Sequence, residues 1–344
     1  DDRRLLFQGV RDCLRLKLSN GLSHTVTPDH PLYAVEDDRV VERTAGKLRR
    51  GCWLAVEVGQ NAVESRVPLQ APSMDVYPPG IGRRRPEEIR LPKTMNADLA
   101  WWLGFLVGDG CLPADGRSSV CFAVTPGIAK RLTRLTQRLF GLRLSLYKSN
   151  ASQKIKDGRV QSRMLVRFLK ETLGIGVKKA KLRVPRALWR SPAPVVRAFL
   201  AGLWAADGYA PKNGEPYLVT VSRQLANECA ALIHWIGDAA LVRRVWKPES
   251  RFPRGYVSRA GWTYRVEWHG RACRERRTGV PCIASRVPTA MGIRLGQKGA
   301  NKGKLYFSPS AQSAHVSRAR LRVAAPKHPL LADNLIFARI DGVQ

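Results

Sequence analysis

The chain has no Cys-x-x-Cys pair, and its seven cysteines, at positions 13, 52, 111, 121, 229, 273 and 282, make an odd total. That excludes a disulfide framework, and a set such as His269, Cys273 and Cys282 fits no common zinc-site spacing, so buried thiols are the plain expectation. No signal peptide or membrane-length apolar run occurs, which points to a reducing, cytoplasmic setting. Acid is scarce as well. Asp and Glu number 27 against 59 Lys and Arg, giving a net charge of +32. From Arg243 to Lys304 there are sixteen basic and three acidic residues, and no acid stands between Glu275 and Asp333. Such an excess calls for a polyanionic partner, and nucleic acid fits it best. A membrane-surface role is disfavoured, because the basic residues are not gathered on one amphipathic helix.

What the sequence does contain is a repeat. Leu99 to Gly110 (LAWWLGFLVGDG) and Ala198 to Gly208 (AFLAGLWAADG) are near copies, each an apolar helix ending on Asp-Gly, with Asp109 and Asp207 98 residues apart. A strand-like segment starts nine residues past each aspartate, at Ser118 and Pro216. Leucines at 132, 135 and 139, and Leu225, Cys229, Leu232 and Ile236, then mark amphipathic helices. Second strands follow, ending on Lys148 and Lys247. Each unit therefore reads helix, strand, helix, strand.

Around the repeat the text changes character. Residues 1–60 alternate apolar and polar about a turn at Ser19-Asn20-Gly21 and read as β-rich. Residues 61–94 carry six prolines around Arg83, Arg84 and Arg85 and read as an extended basic linker, suited to touching DNA. The two units occupy 95–190 and 191–325, and 326–344 returns to strand-like text. The expected fold class is α+β, with one domain inserted within another.

The twin helices carry Gly104, Gly108, Ala201, Gly202, Ala205 and Ala206, small residues that allow close packing of two backbones. Asn96 is a candidate cap for the first, and Ser191 with Pro192 for the second. Packed together, the helices would bring Asp109 and Asp207 to two negative helix ends, where like charges repel. A divalent hard cation with oxygen ligands offsets that arrangement, and Mg2+ with substrate phosphate is the usual case.

On these residues the chain resembles the LAGLIDADG homing endonucleases, in the single-chain form with two pseudo-symmetric halves, over about residues 95 to 325. The resemblance implies αββαββα halves, motif helices at the central interface and saddle-shaped sheets along the DNA major groove. It implies Asp109 and Asp207 as catalytic metal ligands, with backbone carbonyls of Gly108 and Ala206, Mg2+ as cofactor, and Mn2+ or Ca2+ substituting in binding. The other acidic motif position holds Val107 and Ala205 here. Lys181 in Lys181 to Pro185 (KLRVP) resembles the family's catalytic lysine loop. The second unit has Ala284 at the matching place, which leaves Arg286, Lys298 or an unequal half-site. DNA contacts are expected from Arg83, Arg84, Arg85, Lys148, Arg243, Arg244, Lys247, Arg276 and Arg277.

The flanks are similar to the Hint fold of inteins. Thr25 to Tyr33 (TVTPDHPLY) resembles its Thr-x-x-His block, which makes Thr27 and His30 a splicing remnant, and Asp333 to Gly342 resembles a closing strand. Splicing needs a leading Cys or Ser and a terminal His-Asn, whereas the sequence begins Asp1-Asp2 and ends Val343-Gln344, so this chain is not expected to splice. The expectation is a monomeric, site-specific, Mg2+-dependent endonuclease acting on double-stranded DNA within an intein. A catalytically silent DNA-binding protein, an RNA maturase and a protein-splicing element are the alternatives.

Overall fold

The structure is a computed structural model that describes residues 9–36, 39–59, 65–72, 89–113, 118–148, 155–177, 182–209, 216–251, 257–269, 292–295, 305–308 and 335–344. It divides into two compact units, one made of residues 1–58 and 289–344, the other of 59–288.

In chain order the first unit supplies β1 (Leu14–Leu18), β2 (Ser23–Val26), β3 (Pro31–Glu36), β4 (Arg39–Thr44) and β5 (Trp53–Glu57). The second unit opens with α1 (Ala97–Asp109), β6 (Gly110–Cys111), β7 (Ser119–Val124), α2 (Pro126–Phe140), β8 (Ser145–Lys148), β9 (Lys156–Gln161) and α3 (Arg163–Arg167). It continues with α4 (Ala193–Asp207), β10 (Gly208–Tyr209), β11 (Tyr217–Thr220), α5 (Arg223–Trp235), β12 (Ala239–Lys247), β13 (Ser250–Arg251), β14 (Val257–Ser258) and β15 (Gly261–His269). The strands β16 (Gly292–Leu295), β17 (Leu305–Ser308) and β18 (Leu335–Val343) fall in the first unit.

The first unit is built on a six-stranded sheet of order β2-β1-β18-β5-β3-β4. Alternation in β1 sends Leu16 and Leu18 inward and Lys17 outward. The β1–β2 hairpin turns where expected, with Gly21 at φ +84° and the Asn20 side chain accepting the Leu22 amide at 3.1 Å. β18 lies centrally and pairs with β1 through Leu16↔Val343 and with β5 through Ala338↔Leu54. Leu16, Leu18, Ala34, Leu48, Leu54, Ala338 and Ile340 form its core.

The two halves of the second unit share the order helix, two strands, helix, two strands, with β13 and β14 added between the last two in the second half. Sheet β6-β7-β9-β8 corresponds to sheet β10-β11-β15-β12, each beginning on the short strand that continues a repeat helix. The first half runs αββαββα. The strands β6, β10, β9 and β15 are additional to the elements expected from the sequence. In the first half Val120, Phe122, Val124 and Val160 pack inward; Leu218, Val242, Val266 and Trp268 do so in the second. The Trp102 indole donates to Thr136 Oγ1 on α2 at 3.0 Å and meets Phe122 and Phe140 edge-on, tying α1 to its own half.

Helices α1 and α4 pack along the middle of this unit at backbone contact. A Cβ added to Gly104 would lie 2.0 Å from the Phe199 carbonyl oxygen, and one on Gly202 would lie 2.0 Å from that of Trp101. Each glycine and each facing residue is its counterpart's equivalent in the 98-residue repeat, so the contact is reciprocal, as at a two-fold axis. Near that axis a Cβ on Gly108 would be 2.4 Å from the Ala206 Cβ. Asn96 caps α1 as expected, accepting the Leu99 amide at 2.9 Å. The expected Ser191 cap is not used. Pro192 holds the cap position of α4, while the Ser191 hydroxyl donates to the Ala187 carbonyl of the preceding 3-10 turn at 2.8 Å.

Gly104→Ala or Gly202→Ala is expected to cost more than about 3 kcal/mol, above the ordinary overpacking range, because backbone cannot yield as a side chain can. Gly127→Ala, with nothing within 4 Å of its Cβ, is expected to leave stability unchanged or raise it by about 0.5–1 kcal/mol. Chemical denaturation of the three variants checks the contrast.

Candidate functional site

The repeat aspartates sit at the last position of α1 and α4, and the chain leaves each helix directly into an edge strand. The glycine after each aspartate has extended backbone, φ −98° at Gly110 and −81° at Gly208, so it is not there for a left-handed turn. Close approach explains it. A Cβ on Gly110 would lie 2.3 Å from the Leu106 oxygen, and one on Gly208 2.4 Å from the Trp204 oxygen. The abrupt helix-to-strand step thus demands glycine, and it presents the preceding carboxylate at the helix end.

Asp109 and Asp207 flank the pseudo-two-fold axis. Asp207 Oδ2 is 3.4 Å from where a Gly108 Cβ would stand, which places the carboxylate of one half against the residue preceding the aspartate of the other. Gly108 and Ala206 are buried, Asp109 is half-buried and Asp207 is exposed. Val107 and Ala205, where the motif's other acid would stand, are buried packing residues. Last-turn carbonyls, including those of Gly108 and Ala206, lack partners within their own helix. The donor set at the axis is therefore all oxygen, which suits a hard divalent cation. Among the described residues no group of three or more His, Cys, Asp or Glu is arranged to hold a metal ion.

A cleft of about 330 Å³ opens beside Asp109 and is lined by Cys111, Cys121, Ala123, Asp157 and Arg159. All of these project from the sheet face opposite the α2 side, as the register Cys111↔Cys121↔Arg159 and Ala123↔Asp157↔Tyr147 requires. The matching face of the second half carries Tyr209, Tyr217, Val219, Arg243, Arg265 and Glu267. There Glu267 receives Arg265 at 3.1 Å and Arg243 at 3.5 Å, the Arg265 guanidinium lies 3.6 Å from the Tyr217 ring centroid, and Tyr209 meets Tyr217 at 5.3 Å. Two arginines sharing one carboxylate leave this face net positive and held in place.

The expected basic residues are distributed unevenly. Arg243 is on the open face, and Lys247 shares its alternation, with Nζ donating to Ser258 Oγ at 2.9 Å. Arg244 faces the other way, stacked 3.8 Å over Trp262, which in turn meets Trp246 edge-on. Lys148 is exposed at the end of β8, opposite Lys156, on the alternation of the buried face. Arg83, Arg84, Arg85, Lys181, Arg276, Arg277, Arg286 and Lys298 lie outside the described residues. Arg159, Asp157, Arg265 and Glu267 escaped the sequence reading. Their signal is the period-two placement in β9 and β15, legible only once those strands are assigned.

The chain just past Lys181 is fixed to the start of α5. Ser222 accepts the Leu225 amide as N-cap and donates to the Leu182 carbonyl at 2.7 Å, while Glu228 accepts the Val184 amide at 2.6 Å and pairs with Arg183 at 3.7 Å. In the first unit, Thr27 and His30 bracket the turn between β2 and β3, with the His30 amide donating to the Thr27 carbonyl at 3.1 Å. The Thr27 hydroxyl bonds to Asp29 and holds that carboxyl below its usual range, and His30 is exposed.

Residues 194–258, from α4 to β14, match the family model of the LAGLIDADG-like domain. The chain is 30% identical over 237 residues to an A-type ATP synthase subunit of Pyrococcus abyssi, covering 67% of this chain and 22% of that protein. It is 32% identical over 185 residues to the tRNA-splicing ligase RtcB of Pyrococcus abyssi, covering 49% of this chain and 20% of that one. The chain thus spans about a fifth of the length of these relatives. Among solved structures, the I-DmoI homing endonuclease in complex with DNA and Ca superposes with a TM-score of 0.34 at 15% identity, over 50% of this chain and 82% of that one.

Glu228→Ala removes the acceptor of a backbone amide on a half-buried loop and is expected to cost about 1–3 kcal/mol. Hydrogen exchange at the Val184 amide should quicken at least tenfold; unchanged exchange would show that the loop does not rely on this carboxylate.

Proposed function

We propose that this chain is a site-specific endonuclease that makes double-strand breaks in DNA, with Mg2+ as cofactor, and that it is carried within an intein. The reading rests on one observation: the reciprocal glycine contact of α1 and α4, which sets Asp109 and Asp207 on either side of a pseudo-two-fold axis. Two carboxylates so related match two scissile phosphates on two antiparallel strands. The LAGLIDADG-like domain over 194–258 supports the same class.

In this reading Asp109 and Asp207 hold the metal, with the carbonyls of Gly108 and Ala206 as further oxygen donors. When bound, Mg2+ supplies Lewis-acid activation of water and neutralises charge on the phosphoryl group. The open sheet faces bind the duplex. Arg243, Arg265 and Arg159 reach phosphates and base edges, with Lys148, Arg244, Lys247 and the segments holding Arg83, Arg84, Arg85, Arg276 and Arg277 adding backbone contacts. Lys181, next in sequence to the segment tied to α5, is assigned the stabilisation of developing negative charge. Both half-sites belong to one chain, so a monomer suffices.

The intein part of the proposal draws on the relatives. A tRNA-splicing ligase and an ATP synthase component share no activity, yet each matches this chain over about a fifth of its length. A segment common to such proteins is one carried inside them rather than the source of their own activity. The first unit, assembled from two stretches on either side of 59–288, is the arrangement an inserted endonuclease would require. Thr27 and His30 are then its splicing remnant.

Asp109→Asn and Asp207→Asn are each expected to lower cleavage of one strand by about 10²–10³, the usual loss for a group that stabilises transition-state charge. A selected plasmid substrate should accumulate in nicked form with either variant and stay intact with both together, or when EDTA removes the metal, while duplex binding in Ca2+ persists. Full double-strand cutting by either variant would overturn the assignment.

A further inference from the structure

We propose that Cys111 and Cys121 form a cross-strand dithiol site beside Asp109, which low-molecular-weight disulfides convert into an intramolecular disulfide. The two cysteines stand directly opposite each other in the antiparallel β6–β7 pair. Opposed residues of such a pair share a sheet face, with Cα atoms about 4.5 or 5.5 Å apart according to the pair type. Both separations fall inside the range of about 4.4–6.8 Å that a disulfide spans, and the shared face turns the two side chains the same way, so the register meets the Cα requirement for a bridge. Both thiols are free, Cys111 exposed and Cys121 half-buried. They line the open cleft beside Asp109 together with Asp157 and Arg159, which gives a small reagent access.

The second half provides an internal control. The equivalent positions hold Tyr209 opposite Tyr217, with ring centroids at 5.3 Å. The side chains at this register therefore do meet across the strands, and the fold does not itself demand cysteine there. A thiol pair in one half and an aromatic pair in the other makes the first half alone open to this chemistry.

The exchange balances in two steps. Cys111 Sγ attacks one sulfur of the reagent disulfide, forming a mixed disulfide and releasing one thiol. Cys121 Sγ then attacks Cys111 Sγ, forming the bridge and releasing the second thiol. The two protons of the protein thiols leave with the two reagent thiols, so the protein is oxidised by two electrons and the reagent reduced by two. The bridge ties β6, the direct continuation of Asp109, to β7. Resting on the endonuclease reading, this slows cutting by the first half and leaves the second half active, so that the oxidised protein nicks where the reduced protein cuts both strands.

The test uses the full chain, reduced and then held in excess glutathione disulfide, alkylated and digested with trypsin without reductant. Cleavage at Lys93, Arg117 and Lys130 places the two cysteines on separate peptides, 94–117 and 118–130, so the bridge appears as one linked pair that dithiothreitol separates. The expected result is that linked pair, absent in Cys111→Ser and in Cys121→Ser, with cleavage of one DNA strand slowed at least tenfold and restored by dithiothreitol. Finding both cysteines alkylated, or each carrying only glutathione, would overturn the site. A bridge with both strands still cut at their original rates would overturn its control of the first half. If the reduced protein cuts no DNA, the endonuclease reading fails, and the peptide map still decides whether the dithiol site exists.

Discussion

Backbone-to-backbone contact between α1 and α4 is the constraint on which the second unit depends. Helices normally pack at 8–10 Å between axes, held apart by side chains. Here Gly104 and Gly202 remove the spacer at the two symmetric contact points, and Gly108 against Ala206 removes it near the axis. The helices' own sequences, Ala97–Asp109 and Ala193–Asp207, are apolar nearly all round, as burial on all sides requires. Each helix is then locked to its own sheet, α1 through Trp102 and α4 through Trp204 stacked edge-on against Trp268 at 5.0 Å. The result is a rigid frame whose two carboxylates are presented by main-chain geometry rather than by flexible loops.

Around that frame the halves have diverged in chemistry while keeping their topology. The first open face offers thiols, Asp157 and Arg159; the second offers tyrosines and an Arg243–Glu267–Arg265 cluster. Identical frames with different faces suit the recognition of an asymmetric partner, since each face meets its own stretch of ligand. In the endonuclease reading, the strong positive charge of the chain supplies attraction to phosphates without specifying sequence, and discrimination falls to side chains on the open faces.

The legible part of the sequence was the part with long-range self-similarity. The 98-residue offset located both aspartates, the small residues predicted the helix contact, and Asn96 announced its cap. Two-residue strands such as β6 and β10 carry no periodic signal, and β9 (KDGRVQ) is too polar to read as a strand without its neighbours. That concealed Asp157 and Arg159. Arg243 and Arg244 looked equivalent as adjacent basic residues, but strand alternation sends them to opposite faces, one toward Glu267 and the other over Trp262. Ser191 looked like a cap because Ser-Pro commonly opens a helix. The 3-10 turn ahead of it, Arg186–Arg190, claims the hydroxyl instead.

The central claim is that Asp109 and Asp207 together create a divalent-metal site at the helix pair. Its most direct test is a Mn2+ titration followed by electron paramagnetic resonance, on the free protein and on the protein bound to duplex DNA, comparing the native chain with one carrying Asn at both positions. The account predicts that bound Mn2+ is seen with the native chain on DNA and is lost in the double variant, while DNA affinity measured in Ca2+-free buffer is retained. Equal Mn2+ binding by the two proteins would contradict it.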